Sequence, residues 1–507
     1  MNTVDRSPRT IFLFWLPLVL QWIMMAMEGP FLAAVIARLA DPTFNLAAYG
    51  VAFAFAILVE SPVIMLMSAS IALVEDRASY LKLRAFAWLL NGLSTALLLL
   101  VLIPPVFDLV LRAGLGLPPE VADLVYGSLW ILLPWPAAIG YRRFVHGILI
   151  RAGRTRLVAW GTAIRLGVMA LTGAGLALFS ELPGAWIGAA ALSAGVVVEA
   201  LVAWGFSLRT IGELEEEVAP APEAPGEPSP TSPAAVRAGG RTAAPGTGPA
   251  RALARIRAAV HRRPAGSPPA GRGEDAAGSP PGSAPGGPPT GALAGALPTL
   301  SFPHIARFYY PLALTSLIGL TTQPILTFFM GRAPAPVESL AVFPVVMALY
   351  FLFASFGLSF QEAAIALVGK RGEHRKPLAR FGVWLGLAAS GGLAVIAFTP
   401  AAVVWFEGIS GLDPELARLA YTPARIVALG PALIVLTGFQ RALLVQARRT
   451  RPITVATALE VTVIAIVFPA LGWGLGWLGV TAAMTALVVG RAVGASFLVW
   501  RVRGLEW

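Results

Sequence analysis

Apolar residues along this chain do not follow a short alternation. They form long blocks separated by brief polar stretches. A membrane crossing needs about 20 mainly apolar residues at a rise of about 1.5 Å each. On that rule the blocks predict six helices near 10–37, 46–73, 84–112, 120–150, 157–180 and 185–208. Six more follow near 304–331, 338–368, 378–406, 414–446, 453–473 and 477–500. Pro17, Pro30, Pro62, Pro134 and Pro136 each remove a backbone donor inside a block and predict kinks. The first block follows MNTVDRSPRT with no small-residue cleavage site, so it is expected to be retained as a span.

Residues 212–300 break the pattern. Proline, glycine, alanine and serine dominate there, and such a stretch has too little apolar surface to offset the entropy of ordering. The expected organisation is an N-terminal six-helix bundle over 1–211, a disordered linker over 212–300 and a C-terminal six-helix bundle over 301–507. Only 13% of residues are charged and 57% are hydrophobic. Soluble domains average about a quarter charged, so the fold class is an all-α polytopic membrane protein.

The net charge of +11 does not point to nucleic acid, because Lys and Arg collect in alternate loops. Arg77, Lys82 and Arg84 follow the second block, and Arg151, Arg154 and Arg156 the fourth. Lys370, Arg371, Arg375 and Lys376 follow the eighth, and Arg448, Arg449 and Arg451 the tenth. The pattern puts both termini and the linker in the cytoplasm, with the chain in the cytoplasmic (inner) membrane. The basic linker segment from Arg251 to Arg263 suits either anionic headgroups or solvent. With no cysteine, disulfides and thiolate metal sites are excluded, and His146, His261, His304 and His374 show no ligand spacing. No G-x-x-x-x-G-K-[ST] stretch, acidic or histidine motif of a lipid enzyme, or filter sequence occurs. Transport is left, with no cofactor beyond a coupling ion such as H⁺ or Na⁺.

The two apolar regions are copies. Residues 15–74 align with 309–368 at a constant offset of 294, with eighteen of sixty positions identical. Pro17, Pro30 and Pro42 meet Pro311, Pro324 and Pro336, Arg38 meets Arg332, and Ile71–Val74 repeats as Ile365–Val368. A second stretch, 118–156, matches 413–451 at an offset of 295, including Arg154-Thr155-Arg156 against Arg449-Thr450-Arg451. Each unit has an even number of spans, so the halves share one orientation. Parallel repeats of this kind are a transporter architecture with the substrate site between them.

With these features the chain resembles the multidrug/oligosaccharidyl-lipid/polysaccharide exporter superfamily, which includes the multidrug-and-toxin extruders. The stretch Leu46-Ala47-Ala48-Tyr49-Gly50-Val51-Ala52 with Pro62 is similar to the progressive-ankylosis branch. So is Gln323-Pro324-Ile325-Leu326, followed by Phe328-Phe329 and Arg332. The resemblance implies two bundles in a V, rocker-switch alternating access, a monomer, and export of anions such as pyrophosphate, citrate or nucleotides. An amphipathic substrate, or flipping of a lipid-linked oligosaccharide, is the alternative it implies. Multidrug extruders carry an Asp in helix 1 that takes part in coupling; this chain has Glu28 in that region and no Asp.

Ionisable residues inside spans are costly and are functional candidates by default. Glu28 beside Pro30 and Glu60 before Pro62 are candidates for ion coupling, against the alternative of structural carboxylates. Arg142 and His146, four apart on one helix face, are expected to form a substrate site with Arg165, Arg425 and Arg441. Arg143 is read as reaching back to the cytoplasmic interface. Arg165 and Glu460 occupy equivalent repeat positions with opposite charge and pair either with each other or with Glu199 and Arg491, as a gate or a structural ion pair. Gln21, Asn91 and Gln323 are read as helix-to-helix hydrogen-bonding groups.

Overall fold

The computed structural model describes residues 8–216, 301–369, 372–447 and 449–504. The linker from 217 onward, with its basic segment, and loop residues Lys370, Arg371 and Arg448 lie outside the described residues. Among the described residues every regular element is helical. Eleven helical stretches are long and apolar enough to cross a membrane, and one further pair, bent by 41°, makes a twelfth. The protein is an integral membrane protein, and twelve crossings put its two ends on one face, called here the termini side.

The first span is α1 (Pro8–Ala26) with α2 (Glu28–Ile36), and the second is α3 (Pro42–Glu60) with α4 (Leu66–Leu73). Span three is α5 (Arg77–Leu102), which continues through α6 (Pro104–Phe107) into a π-helical turn, Asp108–Ala113. The bent pair α7 (Pro119–Ile131) and α8 (Trp135–Arg151) forms span four. Then come α9 (Thr155–Phe179) and α10 (Gly184–Glu216), the latter running past the end expected near 208.

The second half repeats the plan. Its first span is α11 (Phe302–Leu320) with α12 (Thr322–Met330), followed by α13 (Pro336–Leu367) and α14 (Arg375–Phe398). A short α15 (Ala401–Val403) leads into a π-helical turn, Val404–Ile409. Next are α16 (Pro414–Val427) with α17 (Gly430–Gln446), α18 (Arg451–Pro469) with a π-turn at Ala470–Gly474, and α19 (Gly479–Arg503).

The breaks follow the repeat. The first span breaks at Met27, three residues before Pro30, and the seventh breaks at Thr321, three before Pro324. These positions are mates at offset 294. Asp41 and Ala335, also mates, both take positive φ (49° and 50°) immediately before the proline that opens the next span. Where the copies differ in sequence they differ in shape. Pro62 interrupts span two, whereas its mate is Phe356 and α13 runs unbroken. Pro17 is carried inside α1 without a break.

Within each half the last two spans pack closely. A Cβ on Gly195 of α10 would lie 3.1 Å from the Arg165 carbonyl, and one on Gly490 of α19 would lie 2.9 Å from the Glu460 carbonyl. Between halves, α13 packs on α1 and α3. A Cβ on Gly29 would come within 3.1 Å of Ala348, and one on Gly50 within 3.3 Å of Pro344. The halves share one continuous apolar core, which includes Leu46, Val51, Ala341 and Tyr350.

On the termini side, α5 starts with a reciprocal cap. The Ser79 N–H donates to Asp76 Oδ1 at 2.8 Å, and the Asp76 N–H donates to Ser79 Oγ at 3.0 Å. Donation from the Ser79 N–H and from the Ser79 hydroxyl holds the Asp76 carboxyl below the usual carboxylate range. A group depressed on folding stabilises above its unfolded pKa and loses that contribution as pH falls through the folded one. Asp76→Ala should therefore cost about 1 kcal/mol at neutral pH. Thermal melts in detergent should show the deficit at pH 7 and find the two proteins converging as pH falls below the carboxylate range.

Candidate functional site

Three carboxylates and three guanidinium groups meet inside the N-terminal half. Arg142 and His146, one turn apart on α8, face Thr162 and Arg165 on α9 and Glu199 on α10. Glu199 is fully buried. It accepts a hydrogen bond from Arg142 Nη1 and one from Thr162 Oγ1 at 3.3 Å, and it lies 3.5 Å from Arg165 Nε and 4.0 Å from His146 Nε2. Gly161 borders this junction, where a Cβ would make ordinary contact with Glu199 at 3.7 Å and His146 at 3.8 Å. The other end of Arg165 donates to Glu28, the carboxylate beside the break in the first span. Glu28, Arg165, Glu199 and Arg142 thus form one chain of alternating charge. Alternation offsets the cost of burying ions, and removal of a single member exposes the rest.

Two charged groups stand outside that chain. Glu60, where span two breaks, accepts from Trp135 Nε1 and has no ion-pair partner among the described residues. Arg143 makes neither a hydrogen bond nor an ion pair among the described residues, and its Nε is buried. Both border a cavity of about 380 Å³ between the halves. The N-terminal wall carries Glu28, Glu60, Trp135, Arg142, Arg143 and Arg165. The facing wall is apolar, with Leu320, Phe343, Pro344, Met347 and Phe351, and Gln323 as its polar group. A buried cation with no partner is costly, and an incoming anion would offset that cost through the planar fork of donors.

Several sequence expectations change here. Arg143 does not reach back to the interface; it and Arg142, about 100° apart around α8, both border the cavity, and Arg142 is in addition tied to Glu199. His146 lies behind Arg142 and does not line the cavity. Arg441 belongs to the C-terminal half, where Nη2 donates to Thr457 Oγ1 at 3.4 Å. Arg425 is exposed, its Nε donating to the Ala397 carbonyl at 3.2 Å, because α16 turns this residue outward before the break at Ala428. Arg165 and Glu460 do not pair. Glu460 meets Arg491 at 3.2 Å, and Arg491 also donates to Tyr350 Oη. The same seam in the two halves is therefore bridged with opposite polarity, Arg165 to Glu199 and Glu460 to Arg491. Gln323 faces the cavity rather than a helix partner, and both amide atoms of buried Asn91 lack hydrogen bonds. Among the described residues no cluster of three or more His, Asp or Glu side chains is placed to hold a metal ion.

The halves are joined on both sides of the molecule by contacts that repeat the internal symmetry. On the termini side, Trp15 Nε1 donates to Ser359 Oγ at 2.9 Å, and its repeat mate Tyr309 donates to the Pro62 carbonyl. On the far side, Arg38 Nη2 donates to the Gly408 and Ile409 carbonyls at 2.6 and 2.9 Å. Its mate Arg332 donates to the Ala113 carbonyl at 3.0 Å. Each arginine crosses from one half to the C-terminal end of the π-turn in the other, where helix carbonyls lack partners and the helix dipole is negative.

Neither a family model nor a curated protein sequence matches this chain. Solved structures do match in fold. An inward-facing multidrug resistance MATE family transporter of the MOP superfamily superposes with a TM-score of 0.61 at 12% identity, covering 97% of this chain and 98% of the other. The lipid II flippase MurJ in an inward closed conformation gives 0.63 at 12% identity, covering 97% and 88%. A MOP superfamily transporter from Pyrococcus furiosus, described by the reverse polarity of its binding pocket, gives 0.57 at 14% identity, covering 98% and 96%. The chain has the fold of these transporters over nearly its whole length.

Proposed function

We propose that this protein is a secondary active transporter that exports small organic anions through the cavity between its halves. The observation that carries the reading is Arg143, a guanidinium inside the membrane that makes no hydrogen bond or ion pair among the described residues, on the wall of that cavity. Glu28, Arg165, Arg142 and Glu199 neutralise one another directly, whereas Arg143 feels Glu60 and Glu199 only beyond ion-pair distance, so it is the guanidinium most available to a substrate charge. The apolar opposite wall suits a substrate with a hydrophobic body or one that slides past without being held. A volume of about 380 Å³ lies in the usual range for small-molecule sites. Alternate opening at the Trp15 and Tyr309 contacts and at the Arg38 and Arg332 contacts would expose the cavity to each face in turn. The termini and linker face the cytoplasm in this reading, the protein works as a monomer, and H⁺ or Na⁺ at Glu28 or Glu60 drives export. Fold likeness to a lipid II flippase supports a second reading, translocation of a lipid-linked anionic headgroup through the same seam.

Proteoliposome flux tests both. Labelled pyrophosphate, citrate and ATP are compared with a cationic dye under imposed H⁺ and Na⁺ gradients. Saturable anion flux should fall at least tenfold in Arg143→Gln, the scale of one lost charge-assisted contact. Stability should fall far less than on breaking the Glu199 network, since no carboxylate loses an ion pair or hydrogen bond and Glu60 loses only a more distant charge. Dye flux indifferent to Arg143→Gln would reject the anion reading. Silence for every solute, with translocation of a fluorescent lipid diphosphate, would move the flippase reading forward.

A further inference from the structure

A second hollow, of about 510 Å³, lies on the outer surface of the N-terminal half, away from the central cavity. It is bounded by α5, α8 and α10, and its lining includes Tyr80, Arg84, Trp88, Tyr141, Trp204 and Leu208. Trp88, Trp204 and Leu208 are 56%, 48% and 51% exposed, a surface that in a membrane protein faces lipid. Sequence placed Arg84 in the loop after span two, among the basic residues that set orientation. It is instead seven residues inside α5, roughly 10 Å along the helix from Arg77. Leu208 on α10 lines the same hollow as Arg84. Trp88 and Trp204 are deeper by about one turn. The hollow therefore runs from a cation at the level of the membrane interface down into the hydrocarbon, flanked by the aromatic residues that favour that boundary.

Arg84 is exposed and makes no ion pair or hydrogen bond among the described residues. Its guanidinium carbon lies 5.4 Å from the centre of the Tyr80 ring, which orients it over the hollow. The carboxylate near this end of α10, Glu213, is occupied by Arg154 at 2.6 Å and Arg209 at 3.3 Å. Trp88 packs on Tyr141 with ring centres 5.6 Å apart, which fixes the wall beneath Arg84.

We propose that this hollow binds one anionic phospholipid, its phosphate on the Arg84 guanidinium and an acyl chain along Trp88 and Trp204. A planar guanidinium suits a phosphodiester, and the apolar depth below it suits an acyl chain but not a soluble phosphate. The site is peripheral to the transport cavity and does not depend on what the cavity carries.

The full-length protein, delipidated in mild detergent, is titrated with phosphatidylglycerol or with phosphatidylcholine of the same chains. Bound lipid is counted by native mass spectrometry. Wild type should hold one phosphatidylglycerol at concentrations where phosphatidylcholine is lost. Arg84→Gln should weaken that retention about fivefold, the scale of one arginine acting on an anionic surface, and leave phosphatidylcholine unchanged. Arg84→Lys should keep part of the preference, and Trp88→Ala should weaken both lipids. Arg209→Gln, a charge change outside the hollow, should have no effect. Equal retention of the two lipids by wild type, or an equal loss in Arg209→Gln and Arg84→Gln, would overturn the proposal. So would displacement of the bound lipid by glycerol 3-phosphate, which would mark a site for soluble phosphate.

Discussion

Glu199→Gln should destabilise the protein by about 3–5 kcal/mol, the range for removing one member of a buried charge network. Glu199 is the most enclosed carboxylate of the central network, with none of its surface exposed. Arg142 and Arg165 both lean on it, and His146 and Thr162 complete its surroundings. Glutamine keeps the shape and loses the charge. Arg165 then retains Glu28, but Arg142 has no other carboxylate within ion-pair distance. The expected result is a drop in the thermal midpoint, followed in detergent through the fluorescence of the 14 tryptophans. Arg142→Gln added to the same chain should recover a large part of the loss, because it removes the orphaned charge. If the double variant is no more stable than Glu199→Gln, the network is not what holds these helices. Arg143→Gln should behave oppositely, with stability largely kept and transport lost, because this residue makes no hydrogen bond or ion pair among the described residues. The pair of variants separates the groups that hold the fold from the group held ready for substrate.

That division was only partly legible in the sequence. The repeat offset located the structure's own symmetry: the mates Met27 and Thr321 mark the same break, and Asp41 and Ala335 the same left-handed turn. These features rest on local chemistry, chiefly where prolines fall, and local chemistry survives in a one-dimensional reading. Faces do not. Arg142 and Arg143 are equally deep in α8 and both border the cavity, and nothing in their spacing says which is tied to Glu199 until α9 and α10 are in place. Arg425 shows the same limit from the other side, since its depth was readable but its outward direction depends on how α16 sits before its break. The opposite polarity of Arg165 and Glu460 was visible. Their partners were open, and the structure takes the within-half alternatives, Glu199 and Arg491. Arg38 and Arg332 were visible as repeat mates, yet their role was not. Their partners are backbone carbonyls at the ends of π-helical turns, which carry no side-chain signature.

Removing both of those arginines should open the far side. Arg38 joins the first span to the Val404–Ile409 turn, and Arg332 joins the seventh to the Asp108–Ala113 turn. The carbonyls at Trp405 and Phe406 are already taken by the N–H groups of Ser410 and Leu412, which leaves those of Gly408 and Ile409 for Arg38. The fit is close on both arms. A Cβ on Gly411 would lie 2.7 Å from the Arg38 guanidinium, and one on Gly331 would lie 2.2 Å from the Leu115 carbonyl. A hydrogen bond to a charged group is worth roughly 1.5–3 kcal/mol when shielded and less at an exposed position. Both arginines are exposed, so about 1–1.5 kcal/mol for each is a reasonable scale. The two share no partner but resist the same separation of the halves. Their loss together should shift the opening equilibrium by roughly 2–3 kcal/mol, or about 30- to 150-fold. The chain has no cysteine, so a single one at Gln323 on the cavity wall reports without background. In intact cells, under the proposed topology with cytoplasmic termini, an impermeant maleimide reaches only the far face. Labelling should be slow in the parent, faster in Arg38→Ala or Arg332→Ala, and fastest in the double variant. Arg418→Ala, an exposed arginine on the same face, should change nothing. A double variant labelled as slowly as the parent would mean that the far side is held by the packing of Gly29 and Gly50 against α13, and that the arginines only decorate its rim.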